Sequence, residues 1–141
     1  SGLGTPRRAV VGWEQSRLAM LIAVLEARCG VSFASHDVYL NVAGGLKIVE
    51  PAADLAAAAA LLASLTGQAL DPKTIHFGEI SLSGAVRAAP HAGLRLKEAA
   101  KLGFTDAVVP AAGDAPDSDA RLTLRRLSHL KALAVDLASC D

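Results

Sequence analysis

The chain has 141 residues, 52% of them hydrophobic, and its 14 basic and 14 acidic residues give a formal net charge of zero. This length fits one domain, and the balanced charge excludes a strong overall attraction to nucleic acid. The longest apolar run, residues 55–63, is far shorter than the roughly 20 residues that span a bilayer, so no membrane segment is expected. The turn-forming residues 1–6 are interpreted as a linker remnant and residues 7–141 as the domain.

Cysteine and histidine positions argue against a metal or disulfide centre. Cys29 and Cys140 lack the close spacing of a zinc or redox motif, and the four histidines form no paired motif. We therefore predict two free thiols in a reducing cytosol and no metal site. No apolar signal-peptide run follows the basic pair at residues 7–8, so a cytoplasmic location is expected.

The first part of the chain alternates strand and helix signals. Residues 7–12 predict a strand, and residues 14–28 predict an amphipathic helix that Gly30 ends. Residues 37–42 alternate apolar and polar side chains, which predicts a second strand that residues 46–49 continue.

A long alanine-rich helix is predicted over residues 51–66. Pro51 suits a first helical turn, Asp54 places negative charge at the positive end of the helix dipole, and Gly67 supplies a left-handed cap. The segment is apolar on every face, so we predict that this helix is buried at the centre of the domain.

The middle of the chain adds strands and a third helix. Residues 75–88 predict two strands joined by a hairpin turn at residues 83–84. A helix over residues 90–103 returns into a strand over residues 104–109, which indicates a βαβ crossover. The apolar positions of this helix are Leu94, Leu96, Ala99, Ala100 and Leu102.

The last elements complete the fold class. Residues 111–119 predict a polar loop, residues 122–127 a further strand or an extended approach to the next element, and Ser128 the N-cap of a final helix. That helix has an apolar face formed by Leu130, Leu133, Ala134 and Leu137. The predicted class is α+β, in two layers, with a mixed sheet and about four helices.

Seven segments in a fixed order carry a specific family signature. They are LGTPRR (3–8), GW (12–13), RLAML (17–21), HDVYLNVAGG (36–45), EPAADLA (50–56), FGEISLSG (77–84) and EAAKLGF (98–104). This set resembles the C-terminal Lon-protease-like domain of the bacterial RadA/Sms DNA-repair family. The resemblance implies a Lon-like fold with a ribosomal-protein-like βαβ core. It also implies that zinc, ATP and magnesium are bound only in an N-terminal part that this chain does not contain.

The catalytic pair of Lon proteases is a serine that begins a helix and a lysine further along the chain. The matching positions hold Ala52 and, depending on the anchor of the alignment, Gly93 or Arg95. A methyl group cannot attack a carbonyl, and a guanidinium stays protonated and cannot act as a base. No GxxxxGK[ST] phosphate loop occurs either. The resemblance implies a domain without catalytic activity in a protein that is a DNA-dependent ATPase.

Two alternatives stay open at this point. A serine peptidase with a relocated nucleophile would use Ser64, Ser81 or Ser83 with His91 or Asp54. A peptide-binding or partner-binding module would use the former catalytic cleft instead.

Ring-forming relatives imply self-association, as a hexamer around DNA in the longer protein, with a recombinase as a possible partner in branch migration. Trp13 is a candidate interface residue, and a place in the core is an equal alternative. DNA contact would use local basic residues, would be independent of sequence and would weaken with salt. The candidates are Arg7, Arg8, Arg87, Arg95, Lys97, Lys101, Arg121, Arg125, Arg126 and Lys131.

Overall fold

The computed structural model describes residues 8–11, 15–32, 38–41, 51–112 and 121–138. The helices in these ranges are α1 (Gln15–Cys29), α2 (Asp54–Thr66), α3 (Ala92–Lys101) and α4 (Leu130–Ala138). The strands are β1 (Arg8–Val11), β2 (Val38–Asn41), β3 (Thr74–His76), β4 (Glu79–Ile80), β5 (Val86–Arg87), β6 (Asp106–Pro110) and β7 (Thr123–Leu127). Four helices with both parallel and antiparallel strand pairs confirm the predicted α+β class.

Parallel pairing joins strands that helices separate in sequence. β1 pairs with β2 across α1, and β3 pairs with β6 across α3, so each set forms a βαβ unit. β7 adds a third parallel strand beside β6, while β4 and β5 form an antiparallel hairpin. The predicted crossover into residues 104–109 is therefore confirmed.

Two hydrophobic clusters cover the two faces of the β3–β6–β7 sheet. Ala107 and Val109 pack with α3, whereas Val108 and Leu127 pack with α1, α2 and α4. Alternate residues of a strand point to opposite faces, so α3 lies on one face and the other helices lie on the opposite face. Helix α3 thus adds a helical layer to the two that were predicted.

The central helix α2 has the predicted burial and the predicted end. Eight of its residues are buried, and Gly67 adopts the left-handed conformation with φ of 75°. A short 3-10 turn, Pro51–Ala53, precedes it. The prediction of a buried central helix is confirmed.

Helix α3 buries three of the five apolar positions named in the sequence analysis. Leu96, Ala99 and Ala100 are buried against the sheet. Leu94 and Leu102 are instead 66% and 67% exposed, because the sheet contacts only one side of this helix and these two leucines lie on its flank.

The segment predicted as two strands contains three. β3 joins the large sheet, and only β4 and β5 form a hairpin. The hairpin loop runs from Ser81 to Ala85, where the Ser81 N–H donates to the Ala85 carbonyl at 3.0 Å and the Gly84 N–H donates to the Ser81 carbonyl at 2.9 Å. The predicted strand at 46–49 and the interface candidate Trp13 lie outside the described residues.

Helix α4 is capped by His129, not by the predicted Ser128. The Lys131 N–H donates to Nδ1 of His129 at 3.0 Å, and Nε2 of the same ring lies 2.8 Å from the Ser83 carbonyl oxygen. A carbonyl oxygen only accepts, so Nε2 carries the proton and the ring is satisfied at both nitrogens. The Ser128 carbonyl accepts the Val86 N–H at 2.9 Å. The start of α4 is therefore bonded to the hairpin on both sides.

Candidate functional site

Ala52, the residue predicted to match the Lon nucleophile, lies in a closely packed corner. Ala52 is 3% exposed, and its carbonyl accepts the Gly78 N–H at 2.9 Å, while the Leu55 N–H donates to the Gly78 carbonyl at 3.0 Å. A Cβ atom at Gly78 would lie 3.1 Å from Val86 and 3.2 Å from Pro110, so a side chain here would require these neighbours to shift by a few tenths of an ångström. The corner therefore holds a buried methyl group between α2 and the β3–β4 segment.

A buried carboxylate joins three elements beside this corner. Asp54 is fully buried, and Nε of Arg17 donates to its Oδ1 at 2.9 Å while Nη2 of Arg17 donates to Oδ2. The Ile80 N–H donates to Oδ2 at 3.0 Å. Besides its favourable position at the helix dipole, Asp54 links α1 and β4 to α2 through these hydrogen bonds. The sequence signals for this pair were an aspartate that begins an otherwise apolar helix and an arginine in the first turn of another helix.

The two residues predicted as alternative matches to the Lon lysine, Gly93 and Arg95, both lie on α3. Gly93 lies exposed on α3. Nε of Arg95 donates to the Pro90 carbonyl at 2.8 Å, and its guanidinium carbon lies 5.8 Å from the centre of the Phe77 ring. This geometry fits a cation–π contact, which holds Arg95 over the α3 side of the sheet.

A pocket of about 210 Å³ lies at the start of α3. Its lining is mainly apolar and includes Phe77, Leu96 and Val109. His91 also lines it and is exposed, in the left-handed conformation with φ of 60°. His91 therefore faces both this cleft and solvent.

Two of the three serines considered for a relocated nucleophile, Ser81 and Ser83, have other partners. The hydroxyls of Ser81 and Ser83 lie 2.8 Å apart, and Oγ of Ser81 accepts the Ala85 N–H at 3.2 Å. Ser64 lies exposed on α2. None of the hydrogen bonds found among the described residues joins these three hydroxyls to His91 or Asp54.

The basic residues predicted to contact DNA lie on more than one surface. Arg125 faces α4, where its Nε donates to Asp136 at 3.0 Å, and this hydrogen bond raises the pKa of Arg125. Arg126 is the next residue of β7, so it points to the opposite face, which α3 covers. Arg87 is exposed on the hairpin, Lys131 in the first turn of α4 and Arg121 just before β7. Arg8 belongs to β1, and Arg7 lies outside the described residues.

Helix α3 separates an apolar flank from a basic flank. A groove of about 460 Å³ runs between β3 and α3, and Leu94, Glu98 and Leu102 line it at intervals of four residues. Lys97 and Lys101 are exposed and recur at the same interval, and at about 3.6 residues per turn they lie on the flank away from β3. We call Lys97, Lys101 and Arg126 the basic flank, since β7 lies beyond β6 on that side.

The remaining ligand-type side chains are dispersed. Cys29 is a free thiol, and burial raises its pKa while Lys131 partly opposes that shift. Burial also lowers the pKa of His76. In the described ranges no group of three or more histidine, cysteine or acidic side chains could hold a metal ion. The helices in those ranges are also too short or too polar to cross a membrane.

The fold is an α+β domain with two βαβ units, and a family model described as subunit ChlI of Mg-chelatase matches residues 3–113. The chain is 58% identical to the DNA repair protein RadA of Brucella abortus over 139 residues, which cover 99% of the chain and 30% of that relative. It is 49% identical to the RadA of Pseudomonas aeruginosa over 116 residues, or 82% of the chain and 25% of the relative.

A third relative is the RadA of Synechocystis, 51% identical over 106 residues, which are 75% of the chain and 21% of the relative. The chain belongs to the family described as subunit ChlI of Mg-chelatase, and its predicted relationship to RadA is confirmed. It spans less than a third of the length of these relatives.

Proposed function

We propose that this chain is a non-catalytic domain of a cytoplasmic RadA-type DNA repair protein, in which it joins copies into a ring and contacts DNA. The observation that carries the proposal is Ala52, a buried methyl group where a Lon protease has its nucleophile. The names of the relatives support a role in DNA repair. Binding of ATP, magnesium and zinc then belongs to the part of the relatives that this chain does not cover.

We expect the chain to self-associate and to lack a reactive serine, and both properties can be measured on one sample. After incubation with a serine-reactive fluorophosphonate, the chain should keep its unlabelled mass of 14.4 kDa per copy, because its catalytic pair is missing. Light scattering at rising concentration should give a solution mass above that of one copy. Covalent labelling of a serine would support the peptidase instead, and a monomer at every concentration would contradict the assembly role.

DNA contact is assigned to the basic flank. Lys97, Lys101 and Arg126 are exposed, and none of the ion pairs found among the described residues involves them. Arg125, in contrast, forms an ion pair with Asp136. Cations without a carboxylate partner are the ones that gain most from meeting phosphates and releasing counterions.

Removing two charges from the basic flank should change the salt dependence of DNA binding. In the Lys97→Gln/Lys101→Gln variant, the slope of log affinity against log salt is expected to become shallower by roughly 1–2, at about 0.9 per lost phosphate contact. Titration of a fluorescent duplex between low and moderate salt measures this slope. Arg28→Gln/Lys73→Gln is the matched control, since both residues are exposed and neither is among the predicted DNA contacts. Equal effects in both variants, or no binding at low salt, would refute this assignment.

A further inference from the structure

The hairpin between β4 and β5 presents one leucine to solvent on a fixed loop. Leu82 is 74% exposed. Next to it, the hydroxyls of Ser81 and Ser83 are bonded to each other, and the Ser83 carbonyl accepts a hydrogen bond from His129 at 2.8 Å. The Leu130 N–H also donates to the Gly84 carbonyl at 2.9 Å. Leu82 is thus exposed because the fold holds it out, and little conformational entropy would be lost on binding.

The groove between β3 and α3 is a recessed and mainly apolar surface, in contrast to the protruding leucine. Its walls include Ile75, Phe77 and Phe104 together with Leu94 and Leu102. The two leucines are about two-thirds exposed, at 66% and 67%. Contiguous apolar surface of this type marks interaction sites.

The charges around the two features are complementary. Glu79 and Arg87 lie directly opposite each other at the base of the hairpin. Arg95 and Glu98 line the groove. An acidic and a basic residue therefore flank the protruding leucine, and a basic and an acidic residue flank the groove, which is the arrangement that fixes register between partners.

We infer that Leu82 of one copy of this chain docks into the β3–α3 groove of a second copy, with Arg87 facing Glu98 of that copy. The inference rests on the self-association in the proposed function and names its surfaces. Because the hairpin and the groove are different patches, the contact is heterologous and repeats from copy to copy, which is how rings are built. The basic flank lies on the other side of α3 and stays accessible to DNA.

Cysteine trapping tests this contact directly. In a Cys29→Ser/Cys140→Ser background, the Leu82→Cys/Leu94→Cys variant should form a ladder of disulfide-linked species on mild oxidation. A mixture of the two single-cysteine variants should form only the mixed dimer. Leu82→Cys/Val135→Cys is the control, because Val135 on α4 is 64% exposed but lies outside the groove, and it should form no ladder.

A charge exchange provides a second measurement that needs no cysteine. Arg87→Glu should raise the concentration required for assembly by about tenfold, the range of a moderate interface substitution, and Arg87→Glu/Glu98→Arg should restore it. If light scattering detects assembly but neither the ladder nor the restoration occurs, the contact is wrong and the assembly role stands. If no assembly occurs at any concentration, both are wrong.

Discussion

Replacing Asp54 with alanine is expected to lower the free energy of unfolding by about 3–5 kcal/mol, the usual cost of leaving one member of a buried pair uncompensated. Asp54 is fully buried and the Arg17 side chain is only 22% exposed, so hydration compensates little for the loss of the ion pair. The Ile80 N–H would also lose its acceptor. Urea unfolding measures the change, which is a large part of the roughly 5–15 kcal/mol of a typical domain.

The Arg17→Met/Asp54→Leu variant is the control for this result. Removing both charges together avoids the uncompensated charge, and such replacements are often neutral or stabilising. The remaining loss is the acceptor for the Ile80 N–H, about 1–3 kcal/mol. A double variant as unstable as Asp54→Ala would mean that shape, rather than charge pairing, makes Asp54 necessary.

Replacing Gly84 with alanine is expected to destabilise the fold by about 2–4 kcal/mol, from backbone strain and lost hydrogen bonds. Gly84 has φ of 89°, and a Cβ atom there would lie 2.7 Å from Cε1 and 2.8 Å from Nε2 of His129. The imidazole would have to leave its place, so it would lose both the Ser83 carbonyl and the Lys131 N–H. The shift in the urea midpoint measures the loss.

A double-mutant cycle with His129→Ala separates the steric conflict from the backbone strain. His129→Ala alone removes the two hydrogen bonds, and it also removes the ring that the new Cβ atom would meet. Gly84→Ala should therefore cost less in that background, with a coupling energy of about 1–2 kcal/mol. Additive losses would show that the ring does not restrain the loop.

The Asp54→Ala and Gly84→Ala substitutions both act on the β4–β5 hairpin. Asp54 holds the hairpin from the α2 side through Ile80, and His129 holds its loop from the α4 side through Ser83. The hairpin is short, with two residues in each strand, and isolated hairpins are at best marginally stable. These tertiary contacts therefore keep Leu82 in a fixed position, and either variant is expected to weaken the self-contact as well as the fold.

Helix positions were largely predictable because the spacing of apolar residues is a local property. The pattern in residues 14–28 and the alanine-rich run after Asp54 define α1 and α2 before any contact is known. The alanine at position 52, which is predicted to match the Lon nucleophile, is equally plain in the sequence. Gly67 as a left-handed cap was predicted because few other residues tolerate that conformation.

The cap of α4 and the apolar flank of α3 were not predictable in the same way. Ser128 has a better N-cap propensity than His129, yet the ring of His129 gains a second bond from a loop 46 residues away in sequence. Leu94 and Leu102 are apolar residues of the same helix, but burial depends on which side of the helix meets the sheet.

By itself the sequence determined the fold class and the family, because these depend on residue type and on spacing along the chain. The tertiary structure alone decided that Asp54 pairs with Arg17, that His129 fixes the hairpin loop, and that the basic and apolar residues of α3 lie on separate flanks. The physical reason is that hydrogen bonds and burial join residues far apart in sequence, and no local pattern records which distant groups will meet.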